Sequence, residues 1–427
     1  MRHTPSPTTH TTPTRRRAKP AKRLDPTSDS TERGDTPGPR LPLLTRWGGL
    51  PYILTLWAVS RLILTVVGVV AKGHIQNLST PGNVQRYFDI GTGQVWLDIW
   101  IAWDARWYYT IADVGYQAAP PASGGSVWAF FPLYPWVIQA VDTVVRHTPV
   151  AALLVSNAFL LLGAWFLYRL VEQHHDRAMA RRAVLFLFLF PTAYVFSCLM
   201  TESTFFALSV GAWYYARRGN WLLAGVLGMG SAMTRLVGVL MAPLLALEYL
   251  RQRQWRLTRI RPDALWIGLV PAGLGVFMAF CYVVTGNPLQ FAEVQKMWTP
   301  TRENPLWVLW WSLKPIWEGR LDLAGGEVGY SYGAIVTIIV IGVLLWGRKR
   351  IGTLLCLWSE VLVFVSLSAH IVAANSMPRY LVVIFPLYMI LASMRPRSAA
   401  FVSTVVMLIL LQATTFALWT TAWRFSV

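Results

Sequence analysis

Between Trp100 and Pro135 the chain reads WIAWDARWYYTIADVGYQ and then, after a Gly/Pro/Ser-rich gap, WAFFPLYP. Asp98, Asp104, Arg106 and Asp113 stand here among Trp and Tyr, directly after an apolar span, where a bare linker would be polar and small. Such a mixture suits a membrane-embedded site for a carbohydrate or a lipid. Asp104, flanked by Trp103 and Trp107, is the first candidate. Aromatic neighbours withdraw water from a carboxylate and raise its basicity, which fits it to act as a general base near neutral pH. The same residue type is also a preferred N-cap, so capping the helix that follows is the plainer reading of Asp104. Trp107, Ile111 and Val114 recur at i, i+4 and i+7, predicting a short amphipathic helix at the membrane interface. Trp103, Trp107, Tyr108 and Tyr116 are candidate substrate contacts on this segment, or members of an interfacial aromatic belt.

Further ionisable groups fall at the ends or in the middle of apolar runs. Arg61, in AVSRLILT, is near the centre of the first span, where a charge costs at least ~2.5 kcal/mol and demands a partner or a cavity. It reads as a structural charge, paired with a carboxylate of another helix. Glu202 in LMTEST, Arg235 in AMTRLVG, His370 and Arg379 in SMPRY all fall on one predicted face of the membrane. Arginine suits a phosphate because it is always charged and presents several donors in a fixed fork. Snorkelling to the interface is the alternative for Arg235 and Arg379.

The elements that must position these groups are membrane helices. Of 427 residues, 55% are hydrophobic and only 14% charged, against about 25% charged in soluble domains. The net charge of +18 does not point to nucleic acid. Residues 1–46 carry ten Lys/Arg against four Asp/Glu, and the remaining excess sits mostly in short loops, as the positive-inside rule produces. Cys198, Cys281 and Cys356 all lie within apolar runs, and no CxxC, HExxH or carboxylate cluster suggests a metal. No cofactor is expected.

Residues 1–46 are rich in Pro, Thr, Ser and Arg and predict a disordered, cytoplasmic basic tail. Residues 47–427 predict an all-α, polytopic helical bundle. At about 20 apolar residues per span, helices are expected near 49–71, 149–171, 183–200, 203–217, 221–233, 236–250, 263–284, 331–347, 351–370, 379–393 and 398–418. Eleven crossings place every basic loop, including RQRQWRLTRIR at 251–261, in the cytoplasm. Residues 127–145 are apolar enough to cross but would reverse that frame; a re-entrant or interfacial helix would fit there, and the sequence leaves its depth open. The outer face then receives a large first loop, 72–126, and a second, 285–330.

The combination resembles the GPI second-mannose transferase family and its bacterial relatives, integral-membrane glycosyltransferases of type C (GT-C). The matching features are SRL (60–62), WDARWYYTIADVGY (103–116), AFFPLYP (129–135), VSN (155–157), FPTAYVFSCLMTEST (190–204), TRLVG (234–238) and PRY (378–380). The resemblance implies a polyprenyl-phosphate-linked donor sugar, most often mannose, used outside the cytoplasm, with an aspartate of the first outer loop at the catalytic centre. The matching position is Asp104. Bacterial relatives make no GPI anchors, so the acceptor, whether glycan, glycolipid or protein, does not carry over. The expected chemistry is inverting sugar transfer at the plasma membrane, with Asp104 taking the acceptor proton and Arg235 or Arg379 stabilising the departing phosphate. A lipid or solute transporter, whose ionisable residues would line a path, and an inactive scaffold relative are the competing readings.

Overall fold

A computed structural model describes residues 1, 48–75, 91–116, 126–298, 302–322, 326–369 and 373–421. Residues 2–46 of the predicted basic tail and His370 lie outside the described residues. Helices make up the described architecture, with no strand among those residues. In chain order they are α1 (Leu50–His74), α2 (Val95–Asp98), α3 (Ala105–Val114), α4 (Leu133–Val145), α5 (Thr148–Glu172), α6 (Arg177–Leu189), α7 (Glu202–Arg217), α8 (Trp221–Thr234), α9 (Met241–Gln252), α10 (Leu269–Thr285), α11 (Gln290–Trp298), α12 (Pro305–Trp317), α13 (Glu327–Ile351), α14 (Thr353–Leu367), α15 (Ala373–Leu381), α16 (Phe385–Ala392) and α17 (Ala399–Thr420).

Local chemistry sets the boundaries. Pro51 and Pro149 open α1 and α5, where a missing N–H costs nothing. The Asp176 and Asn220 side chains accept from Met179 N and Leu223 N at the starts of α6 and α8. At the heart of the bundle stands α7, in which only Tyr215 and Arg217 escape burial. A helix apolar on all sides belongs in such a position. It packs between α5 and α8, α8 packs in turn on α10, and α13 lies along α15. Leu62, Ile63 and Val66 of α1 and Leu410 of α17 stay exposed, an apolar face suited to lipid.

A helix stands within each of the eleven predicted segments, but their lengths differ. Among the described residues, five stretches are long and apolar enough to cross a bilayer: α1, α5, Pro262–Thr285, α13 and α17; the α15–α16 pair, bent by 58°, would make a sixth. α8 and α14 are apolar but shorter. Residues 127–145 resolve into a 3-10 turn and the 13-residue α4, about 20 Å long and too short for a ~30 Å hydrocarbon core.

The segment 183–200 departs most from expectation. Helix α6 stops at Leu189 before Pro191, and 190–201 runs on as buried, mostly irregular chain. Composition alone does not distinguish a buried helix from buried irregular backbone, and proline disfavours helix in the residue before it. Buried carbonyls need donors, and distant side chains supply them. Arg61 reaches Ala193 O at 3.3 and 3.4 Å, and Gln412 reaches Phe188 O and Phe190 O, both at 2.9 Å. Thr415 donates to Pro191 O, and Ser156 to Cys198 O. The contacts of Arg61 are a backbone carbonyl and the Phe188 ring, where a carboxylate of another helix was expected.

Candidate active site

The pinned segment 190–201 delivers Glu202 to the first turn of α7. Three other helix ends converge on it. Asp104 is the residue before α3; Arg235 sits where α8 breaks into extended backbone, with φ −151° and ψ 142°; Arg379 stands in the last turn of α15. Helix interiors would have closed their own backbone bonds and pointed these side chains along one face. Breaks let four charges from four elements meet.

They form one chain of ion pairs. Asp104 Oδ2 is 2.8 Å from Arg379 Nη1, Arg379 Nε is 3.5 Å from Glu202 Oε1, and Arg235 Nη2 donates to the same Oε1 at 3.1 Å. Two carboxylates and two guanidiniums balance, which is how charge survives in a buried setting. Exposure grades across the set: the side chains of Glu202 and Arg379 are 2% and 6% exposed, those of Arg235 and Asp104 19% and 30%. Asp104 and Arg235 therefore stand at the open edge, and Glu202 and Arg379 behind them.

Aromatic and hydroxyl groups frame the cluster. The Tyr380 ring lies 5.2 Å from the Arg379 guanidinium and 5.5 Å from that of Arg235, and Phe205 is 5.9 Å from Arg235. Arg379 Nη2 donates to Tyr380 Oη at 3.5 Å. Tyr108 Oη is 3.4 Å from Thr201 Oγ1, and burial pushes its phenol well above the ordinary value, keeping it protonated. Among the described residues no group of three or more His, Cys, Asp or Glu side chains converges as metal ligands would.

The other predicted contacts separate from the charges. Trp107 stacks on Phe130 at 5.7 Å, and Tyr116 donates to Phe130 O at 2.7 Å while packing against Trp128 and Phe280. Both belong to an aromatic cluster with Phe131, Phe277 and Phe291 that braces α3. Asp98 accepts from Thr92 N and Oγ1 at 2.9 and 2.7 Å, a turn-holding role. Trp103 is buried with φ +56°, a conformation costly for a bulky residue. Its Nε1 donates to Trp419 O at 3.3 Å, fixing the residue immediately before Asp104. Tyr380 and Thr201 were not singled out from sequence. Tyr380 was within reach, as the last letter of the PRY feature.

Comparison with known proteins adds three findings. Among curated proteins none matches the chain. The solved structures similar to it include an oligosaccharyltransferase of Archaeoglobus fulgidus tethered to an acceptor peptide, with TM-score 0.41, 12% identity and coverage of 86% of this chain and 55% of that one, and the archaeal oligosaccharyltransferase AglB from Archaeoglobus fulgidus in complex with an inhibitory peptide and a dolichol-phosphate, with TM-score 0.39, 12% identity and coverage of 85% and 55%. The chain spans about half the length of both. Residues 50–285, which include Asp104, Glu202 and Arg235, match the family described as Mannosyltransferase (PIG-V). That match takes in more than half of the 427 residues, and the chain belongs to the mannosyltransferase (PIG-V) family.

Proposed function

We propose that this family member is a membrane mannosyltransferase that moves mannose from a polyprenyl-phosphate donor to a hydroxyl acceptor, with inversion at the anomeric carbon. The observation that carries the reading is the graded ion-pair chain, in which Asp104 faces outward while a buried arginine fixes its other side. A sugar phosphodiester already carries a good leaving group. The protein must remove one proton and stabilise one developing charge. Asp104 takes the proton of the acceptor hydroxyl as its oxygen attacks the anomeric carbon. The bond from that carbon to the phosphate oxygen breaks, and its electron pair leaves with the phosphate. Arg235, the more exposed guanidinium, meets that charge with the donors Glu202 leaves unused. Arg379 and Glu202 are positioning residues that hold Asp104 and Arg235 apart by a fixed distance.

Orientation follows from α7. Its first turn carries Glu202, and its last carries Arg217, which pairs with Glu248 at 3.3 Å, about 22 Å further along the axis. The Arg217 end also gathers the RQRQWRLTRIR loop through Arg251 and Glu248. Basic loops favour the cytoplasm, so the Asp104 end opens on the outer side of the plasma membrane. The test is mannose transfer by full-length protein in liposomes supplied with synthetic polyprenyl-phosphate-mannose and a glycoside acceptor. Transfer is expected, and Asp104→Asn should lower turnover by roughly 100-fold or more with donor binding nearly unchanged. An Asp104→Asn protein that turns over at the native rate would remove Asp104 as the base.

A further inference from the structure

The segment joining α9 to the Pro262–Thr285 span has a composition that neither the fold nor the proposed chemistry uses. It reverses direction through Gln254 and Trp255, both in left-handed conformation at φ +57° and +59°. Trp255 N donates to Leu250 O at 2.8 Å, which holds the turn. Tyr249 fastens the far side, accepting from Arg261 N at 2.9 Å and donating to Asp263 Oδ1 at 2.6 Å. The segment is therefore a built surface rather than slack chain.

Its acids are already spoken for. Asp263 pairs with Arg253 at 3.3 Å, and Glu248, fully buried, takes Arg217 and Arg251. Arg256, Arg259 and Arg261 are exposed with no carboxylate partner among the described residues; Arg259 reaches only the neutral Gln254 at 2.6 Å. Between and beside them Trp255, Leu257 and Leu265 stand 58%, 70% and 79% exposed. A surface facing water or nucleic acid gains nothing from leucines so far out. Cations interleaved with large apolar side chains, at the end of a membrane span, match the headgroup and upper acyl layers of a leaflet.

We propose that residues 254–266 form a binding surface for anionic phospholipid, with Arg256, Arg259 and Arg261 taking the headgroup phosphates while Trp255, Leu257 and Leu265 enter the acyl boundary. The surface lies at the end of α7 opposite Asp104 and does not depend on the reaction assigned there. Three uncompensated arginines near an anionic surface should enrich such lipid severalfold over zwitterionic lipid.

The experiment uses full-length protein carrying Leu257→Cys, labelled with an environment-sensitive fluorophore; the three native cysteines are buried. It is reconstituted in phosphatidylcholine vesicles containing the same mole fraction of either acyl-brominated phosphatidylglycerol or acyl-brominated phosphatidylcholine. Quenching by the anionic lipid is expected to exceed that by the zwitterionic lipid roughly threefold or more. High salt and the triple variant Arg256→Gln, Arg259→Gln, Arg261→Gln should bring the two together. A label at Val406→Cys, on the exposed face of α17, should show no preference. Equal quenching at position 257 in the native background overturns the proposal, as does the absence of quenching by either lipid, which would indicate a protein partner instead. The salt response of the native background decides the matter even if the triple variant does not fold.

Discussion

Glu202 Oε1 accepts from Arg235 Nη2 at 3.1 Å and stands 3.5 Å from Arg379 Nε, so one buried carboxylate lies between both arginines of the charge cluster. From sequence, Arg235 and Arg379 were equal candidates for the donor phosphate; burial separates them. Arg235→Gln should raise the donor KM about tenfold or more, since a hydrogen bond to a charged group is worth roughly 1.5–3 kcal/mol, with a smaller effect on kcat. Arg379→Lys keeps the charge but loses the fork that spans Asp104 and Glu202. It should lower kcat by about 10- to 100-fold with KM nearly constant if Asp104 is the base proposed above, because a small misplacement of a base is costly. Steady-state kinetics on the two variants checks the split, and the reverse pattern would exchange their roles. The four charges that converge here stood out in the sequence because ionisable residues inside apolar sequence are too costly to be idle. The pairing was not legible, since Asp104 and Arg379 lie far apart in sequence and meet only through tertiary packing. Nor was the bracing role of Trp107 and Tyr116, because an aromatic that binds a sugar and one that packs a helix share one composition.

At the scale of elements, apolar runs and basic loops located the helices well, and they failed where length and regularity were at stake. Segment 183–200 read as a span because Phe, Leu and Val are equally at home in a buried irregular chain. Only the scattered donors Arg61, Ser156, Gln412 and Thr415 reveal the irregularity, and they come from three other helices. That gives the SRL and VSN features a physical meaning: Arg61 and Ser156 satisfy the strand of backbone that carries Glu202 into place. Helix α15, which carries Arg379, is placed by a different device. A Cβ on Gly333 of α13 would stand 1.8 Å from Ala374 O, so glycine allows the two helices to touch backbone to backbone. Gly333→Ala should push α15 away from α13, destabilise the protein by about 1–3 kcal/mol and reduce turnover more than Gly342→Ala, where a Cβ meets nothing within 4 Å. Thermal unfolding in detergent alongside the transfer assay measures both. Equal behaviour of the two variants would show that α15 adjusts freely and that its contact with α13 does not set Arg379.

For the whole molecule, the decisive feature is that α7 joins two chemically different ends. Its N-terminal end holds a balanced set of two carboxylates and two arginines, and its C-terminal end gathers Arg217, Arg251 and Arg253 with the outward-facing Arg256 and Arg259. An excess of arginine at one end of a membrane bundle resists translocation, whereas a neutral cluster does not. The two ends should therefore lie on opposite sides of the bilayer, with Asp104 outside. Val114, 53% exposed at the end of α3, and Thr258, exposed and polar in the basic segment, report on the two ends. In intact cells a membrane-impermeant maleimide should label Val114→Cys and spare Thr258→Cys, and permeabilised cells should label both. Labelling of both positions from outside would place the two ends on one side, contradicting the axial arrangement of α7. Labelling of Thr258→Cys alone would invert the frame, and the donor would then have to be used in the cytoplasm.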